Sequence, residues 1–317
     1  MFFLNLYMRK LFEFVYNSIS ENLGHPITLL RLIDEYPDMR VELIEPVRVI
    51  DSQSIAQWHH WGNQPSNEGT YRKLGAILGW RYSAGRYNSF EIYRSEFENL
   101  GHCDVMENWN CDIQDVTGLT FSKSKLHKFT SLDSMVEANS RELIDSIAED
   151  KLLKNLAHDE IRILSRENTS DYFARYLWDD RIFLVNNSGG SHHFAAARYI
   201  ASRIAYPISL QGTLRTYFIN SLAIDSLRCD FDMYSISDDA AISTGFHEAM
   251  EKFRATYLWQ YLPRPYEHAR AILLPKSDPR SMRVSTVLRD AGFFDIGKYL
   301  ADLAGRVGTR AHPNLRF

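Results

Sequence analysis

The sequence predicts an α/β (α+β) protein, with a small mixed sheet and its helices in the second half and an N-terminal α+β region before them. Three observations predict it. From residue 131 onward, short runs rich in β-branched and aromatic residues alternate with stretches whose apolar residues recur every three to four positions. Residues 51–130 carry aromatic, polar and glycine-containing segments instead, such as WHHWGNQPSNEG and GWRYSAGRYNSFEIYR, spaced for short strands and loops. The 317 residues are 45% hydrophobic and 24% charged, a globular composition, and the length supports about two core-forming units. With no linker tract to mark a boundary, the change of texture places it between residues 1–130 and 131–317.

The first segment, MFFLNLYMRKLFEFVYNSI, is interrupted by Asn5, Arg9, Lys10 and Glu13 before a membrane-spanning length builds up. Its charges follow the apolar stretch, the reverse of a secretory signal. Phe3, Leu6, Tyr7, Leu11, Phe14 and Val15 share one helical face, which is expected to pack on the protein's own core rather than on a membrane. A loop at Gly24-His25-Pro26, a helix over residues 27–36 and a strand over 41–50 follow. One surface helix is expected from Ser131 to about Leu156, since Leu132, Met135, Val136, Leu143, Ile144 and Ile147 recur at helical spacing. Next come a strand at 160–165 (EIRILS), a helix at 171–178 (DYFARYLW) and a buried strand at 181–186 (RIFLVN). Asn186-Asn187-Ser188-Gly189-Gly190 is a turn signal, and Ser191 opens a helix that must end before Pro207. A strand over 207–214, a helix within 238–262, a strand over 269–275 and helices over 284–292 and 296–305 complete the reading.

The charge balance, 36 Lys+Arg against 40 Asp+Glu, excludes a polybasic nucleic-acid coat and a dominant acidic tail. Three cysteines, Cys103, Cys111 and Cys229, are too few and of the wrong parity for a disulfide-stapled scaffold, which points to a cytoplasmic protein.

The chemistry concentrates at the strand, glycine turn and helix around residue 190. Glycine takes φ > 0 and lets a ligand approach the backbone, while the first helical N–H groups and the helix dipole make an electropositive socket for phosphate. Ser191, His192 and His193 stand at the mouth of that socket. They suit phosphate binding or phosphoryl transfer; the plainer alternative is a helix-capping serine with two satisfied histidines.

The stretch RIFLVNNSGGSHHFAAARYIA resembles the signature of the ParB/sulfiredoxin-like superfamily, in which a strand leads into a glycine turn and a helix reading G-C-H-R-aromatic or G-E-R-R-aromatic-R-A. In that register Ser191 takes the sulfiredoxin cysteine position, His192 the histidine, His193 the arginine and Phe194 the aromatic residue, and PISLQGTL is similar to the strand that closes the motif. The resemblance spans residues 158–220. It implies a nucleoside triphosphate, ATP or CTP, with Mg²⁺, held by Gly189, Gly190, Ser191, His192, His193 and Arg198. The implied activity is phosphotransfer or nucleotide hydrolysis, with Ser191, His192 and Glu160 as catalytic residues. Serine in place of the cysteine excludes sulfiredoxin chemistry, which needs a low-pKa thiol. Histidine in place of the arginine removes a bidentate phosphate clamp, and Ala195 stands where ParB proteins carry a further arginine. Arg175, Arg198, Arg203 and Arg215 are the nearby replacements. Two other readings follow from these departures: a catalytically inactive binding protein with a protein or nucleic-acid partner, and a ParB-like nuclease. A homodimer and the absence of a membrane partner are also expected.

The remaining candidates have plainer explanations. Phosphoryl transfer needs a carboxylate; Glu160, with Asp159 beside it, is placed for that role, whereas Asp179 and Asp180 read as turn residues. His102, Cys103 and Cys111 offer zinc ligands, but C-x7-C lacks the usual spacing, so no metal site is expected. His59 and His60 between Trp58 and Trp61 suit base stacking, yet an aromatic core cluster is commoner. His247-Glu248 lacks the second histidine of H-E-x-x-H and reads as a solvated face. Arg264, His268 and Arg270 form a local basic loop.

Overall fold

The computed structural model describes residues 17–63, 74–165, 169–186 and 189–310. The amphipathic face expected over residues 3–15 lies outside them. The fold is a mixed α/β one, with helices and two five-stranded sheets. The chain divides into two compact units, and the division does not fall at residue 130. One unit comprises the described residues within Met1–Ile44, His60–Leu100 and Asn220–Gly305; the other comprises those within Glu45–His59, Gly101–Ile219 and Arg306–Phe317. The expected boundary fails because neighbouring strands of each sheet come from distant parts of the chain, which local texture does not reveal.

In the first unit, β1 (Ala76–Ser83), β2 (Arg86–Tyr93), β8 (Phe231–Ser237), β9 (Tyr257–Tyr261) and β10 (Ala269–Pro275) form an antiparallel sheet in the order β2-β1-β9-β10-β8. It contains the helices α1 (Ile27–Glu35), α2 (Ser95–Glu98), α7 (Ser221–Asp230), α8 (Ala240–Phe253) and α9 (Pro279–Asp290), and α10 (Ile296–Arg310) as far as Gly305. Leu29 and Ile33 of α1, Phe246, Met250 and Phe253 of α8, and Val284 and Leu288 of α9 bury their side chains in one core with Ile236 and Ile272 of the sheet. The helix expected within 238–262 therefore ends at Phe253, before β9. Residues 41–49 form no strand: Pro46 has no N–H to give a ladder, and the local pairing is an isolated bridge between Arg40 and Ile236.

The second unit holds β3 (Gly101–Asp112), β4 (Val116–Leu119), β5 (Tyr172–Tyr176), β6 (Ile182–Val185) and β7 (Ser209–Ile219), in the order β3-β7-β5-β6-β4. This sheet is mixed, with β4 parallel to β6 and β5 parallel to β7. Its helices are α3 (Leu132–Asn139), α4 (Glu149–Leu156), α5 (Arg162–Ser165) and α6 (Ser191–Arg203). Phe194, Ala195, Ala196, Ala197, Ile200 and Ala201 of α6 are at most 1% exposed and pack with Leu132, Met135 and Val136 of α3 and Leu152 of α4. The run of alanines lets α6 approach its neighbours closely.

Three expected elements of this unit differ. The helix over 131–156 is broken: α3 starts in a capping box between Ser131 and Ser134, stops at the Ser140 C-cap, and gives way to a 3-10 turn at Arg141–Leu143 before α4. Residues 171–178, expected as a helix, contain β5. Aromatic residues with β propensity dominate that short run, and five residues are too few to show a helical period. Residues 160–165, expected as a strand, hold the single helical turn of α5, with Ile161 and Ile163 buried in the core.

Candidate functional site

Strand β6 ends at Val185 and α6 begins at Ser191, so the expected strand, turn and helix are present; Asn187 and Ser188 of the turn lie outside the described residues. Gly190 caps α6 at φ +80°, and no side chain caps the helix in its stead. The first intrahelical bond runs from the Phe194 N–H to the Gly190 carbonyl at 2.8 Å, so the N–H groups of Ser191, His192 and His193 form the open end of a 13-residue helix. A Cβ on Gly190 would lie 2.6 Å from the Glu160 carbonyl oxygen, and one on Gly189 would strike the Glu160 carboxylate. Gly190 is thus required both by its dihedral angle and by close approach to the Glu160 backbone, whereas Gly189 meets only the end of the Glu160 side chain.

A second segment closes over this turn. After β4, the Thr120 Oγ1 accepts the Asn186 N–H at 3.0 Å. The Asn186 side chain accepts the Phe121 N–H at 3.2 Å and donates to its carbonyl at 2.9 Å. Asn186 is 4% exposed. This clamp leads residues 122–128 (SKSKLHK) past the N-terminus of α6. The two segments enclose a cavity of about 750 Å³. Gly189–His193 line it with Glu160 and His158; Lys123, Ser124, Lys125 and Lys128 face them, and Asn139, Ser140 and Glu142 close a third side. Phe121, 49% exposed, and Phe129 add apolar surface.

Hydrogen bonds fix the state of the histidines. Ser122 Oγ accepts from the Ser191 hydroxyl at 2.9 Å and from the Ser124 N–H at 3.1 Å, which fills its lone pairs and turns its own proton toward His192 Nε2, 3.4 Å away. Ser124 Oγ accepts from the Asn139 amide at 2.7 Å and directs its proton to the same Nε2 at 3.2 Å. Nε2 is therefore the acceptor, and Nδ1 carries the proton and donates to the Ser140 hydroxyl. Burial, with a contribution from Lys123, holds His192 below the ordinary imidazole value against the opposing pull of Glu142, so the neutral ring is the form at neutral pH.

His193 is bound differently. Both amide protons of Asn155 are spent on the carbonyls of Leu143 and Lys151, so its oxygen accepts from His193 Nδ1 at 3.0 Å. The His193 ring stacks on His158 with centroids 3.8 Å apart. Burial first, then the neighbouring imidazoles, lower its pKa. Glu160 accepts the Gly190 N–H at 3.0 Å, and its own N–H donates to His158 Nδ1 at 3.3 Å.

Gly189, Gly190, Ser191, His192, His193 and Glu160 thus meet at one cavity, with Ser191 only 4% exposed beneath it. Arg198 does not. It lies farther along α6, bonded to the carbonyls of Val116 and Gln114 and paired with Asp133 at 2.9 Å. Its assignment as a phosphate ligand is corrected accordingly. Arg203 also pairs with Asp133, Arg215 covers the Tyr172 ring, and Arg175 reaches Thr216. The cations at the cavity are Lys123, Lys125 and Lys128, none of which has an ion-pair partner among the described residues. The basic run SKSKLHK was the signal for them, but it lies some 60 residues before the turn.

The model of a family of unknown function, DUF6685, matches residues 106–312. The chain belongs to this family. No curated protein and no solved structure matches it significantly. The DUF6685 match includes both segments of the cavity, but it begins inside β3 and leaves out β1 and β2.

The other candidates fall elsewhere in this DUF6685 chain. Trp58 is wholly buried and His59 packs against Tyr176, Trp178 and Tyr217 within the second unit, Trp61 is wholly buried against Phe97 within the first, and His60 is exposed. His247 is not on a solvated face: it is half-buried, edge-on to Trp80, with Nδ1 3.0 Å from the Tyr257 hydroxyl. In the basic loop, Arg264 pairs with Glu267, and Arg270 pairs with Asp238 over the Trp259 ring. Asp179 is forked by Arg181 and Asp180 pairs with Arg48, as turn residues do. Burial pushes the Cys111 thiol up to about 12. Among the described residues no group of three or more His, Cys, Asp or Glu is placed to hold a metal ion, and no helix is long and apolar enough to cross a membrane.

Proposed function

We propose that the chain binds a nucleoside triphosphate through its phosphates at the N-terminus of α6 and acts as a nucleotide-dependent phosphotransferase or hydrolase. One observation carries the reading: an open helix N-terminus, a glycine turn and three lysines face one cavity of about 750 Å³, a size suited to a nucleotide-sized ligand. The likeness of Gly189–Phe194 to the ParB/sulfiredoxin-like signature supports the same ligand class. Where that signature carries an arginine, charge comes here from Lys123, Lys125 and Lys128 on the opposite wall. Phe121 and Phe129 offer faces for a base. Mg²⁺ would arrive on the nucleotide's phosphates, with Glu142 or Glu160, which line the cavity, as carboxylate partners.

A second reading, a binding protein without turnover, is favoured by Glu160: its carboxylate holds the Gly190 N–H, and the position expected of a catalytic base is occupied in a structural bond.

Thermal unfolding against ATP, CTP, GTP and UTP, with and without Mg²⁺, tests both. The expected result is a rise in midpoint with one nucleotide, abolished by Lys123→Ala/Lys125→Ala, because a ligand at 100 times its Kd adds about 2.7 kcal/mol. A rise without nucleotide turnover favours the second reading. No rise with any nucleotide overturns nucleotide binding at this turn, with or without turnover, and leaves a binding protein whose partner is a protein or nucleic acid.

A further inference from the structure

Ser124 has the setting of an activated nucleophile. Its hydroxyl lines the cavity between Lys123 and Lys125. Asn139 donates to Oγ at 2.7 Å, and because Ser122, with both lone pairs filled, makes His192 Nε2 an acceptor, the Ser124 hydroxyl 3.2 Å away is a donor to that same nitrogen. His192 is held from its far side by Ser140, which is 3% exposed. Nucleophile, base and orienting group follow one another, as covalent catalysis requires. Ser122 also reaches Nε2, but it does not line the cavity, and Ser191 is bonded beneath it.

We propose that Ser124 is the nucleophile of this site, with His192 as its general base and Ser140 as a positioning residue, and that it takes the terminal phosphoryl group of the bound nucleotide. The identity of the substrate rests on the nucleotide reading above; the activation of Ser124 does not. In the first step the Ser124 Oγ–P bond forms and the bridging P–O bond breaks. The Ser124 proton moves to Nε2, and the nucleoside diphosphate leaves with the electron pair and takes that proton. In the second step water attacks the phosphoserine, His192 accepts the water proton, and Ser124 Oγ leaves as inorganic phosphate forms and recovers the proton from Nε2. The α6 amides and the lysines face the cavity in which charge collects on the transferring phosphoryl oxygens.

The test uses the full chain and an alkyl fluorophosphonate, which needs no nucleotide site: Ser124 Oγ displaces fluoride, which leaves with the electron pair, and the proton passes to His192. Mass spectrometry of chymotryptic peptides locates the label. Labelling is expected at Ser124, rising with pH as His192 loses its proton. It is lost in Ser124→Ala and slowed on the order of 100-fold in His192→Ala. Ser140→Ala is expected to shift the midpoint of the pH profile. His192→Gln repeats the measurement should His192→Ala fail to fold. Absence of label at Ser124, or undiminished labelling in a folded His192 variant, overturns the proposal. Nucleotide stabilisation without labelling overturns the nucleophile alone. Labelling without nucleotide stabilisation supports the nucleophile and overturns the nucleotide reading.

Discussion

His192 and His193 are adjacent in sequence yet do different work, because successive residues of a helix point about 100° apart. His192 turns into the serine network and His193 onto Asn155 and His158. Burial holds both below the ordinary imidazole value, as it does His247. Between that lowered value and about 6.5 the unfolded chain binds protons that the folded chain does not, so stability is complete above about 6.5 and falls as the pH drops through it. The urea midpoint is therefore expected to be lower at about pH 5.5 than at about pH 7.5, and His192→Asn/His193→Asn to flatten part of that difference. At this scale the sequence was informative about the turn, since Gly-Gly before Ser-His-His marks a strand-to-helix corner. It was misleading about Arg198, whose partner Asp133 lies 65 positions away.

Among elements, the helices with a sustained period and a clear stop were legible: α1, α6, α8 and the two helices after residue 279. What was not legible follows from competition between local and long-range bonds. Asn139 and Ser140 interrupt an amphipathic pattern that otherwise runs on to residue 156, and both side chains are engaged in the hydroxyl network around His192. The break in the helix and part of the site are thus one feature. The loop after β4 depends in the same way on a single buried side chain. Asn186→Ala removes the amide that fastens Phe121 and leaves buried partners unmet, which costs about 1–3 kcal/mol. Nucleotide stabilisation is expected to fall further than this loss explains, because Lys123, Ser124 and Lys125 lose their fixed approach to α6. Denaturant titration of the variant with and without nucleotide separates the two effects.

At the scale of the molecule, the fold class was legible from alternating periods, whereas the pairing of strands was not. A fragment of residues 131–317 keeps α6 and the glycine turn but lacks β1 to β4 and the loop after β4 that carries Lys123, Ser124 and Lys125. It is expected to stay unfolded or aggregate, and retention of a cooperative melting transition by that fragment would contradict the interleaved architecture. The interleaving also bears on how the chain acquires its structure. Leu78 of β1 pairs with Trp259 of β9, and Gly101 of β3 with Ile219 of β7. Each contact closes a loop of well over 100 residues, an entropic cost met before any ladder forms, which makes high contact order and slow folding inherent to this topology. During synthesis β1, β2 and β3 emerge long before their partners, and β3, twelve residues long, waits with an unpaired edge until β7 has been made.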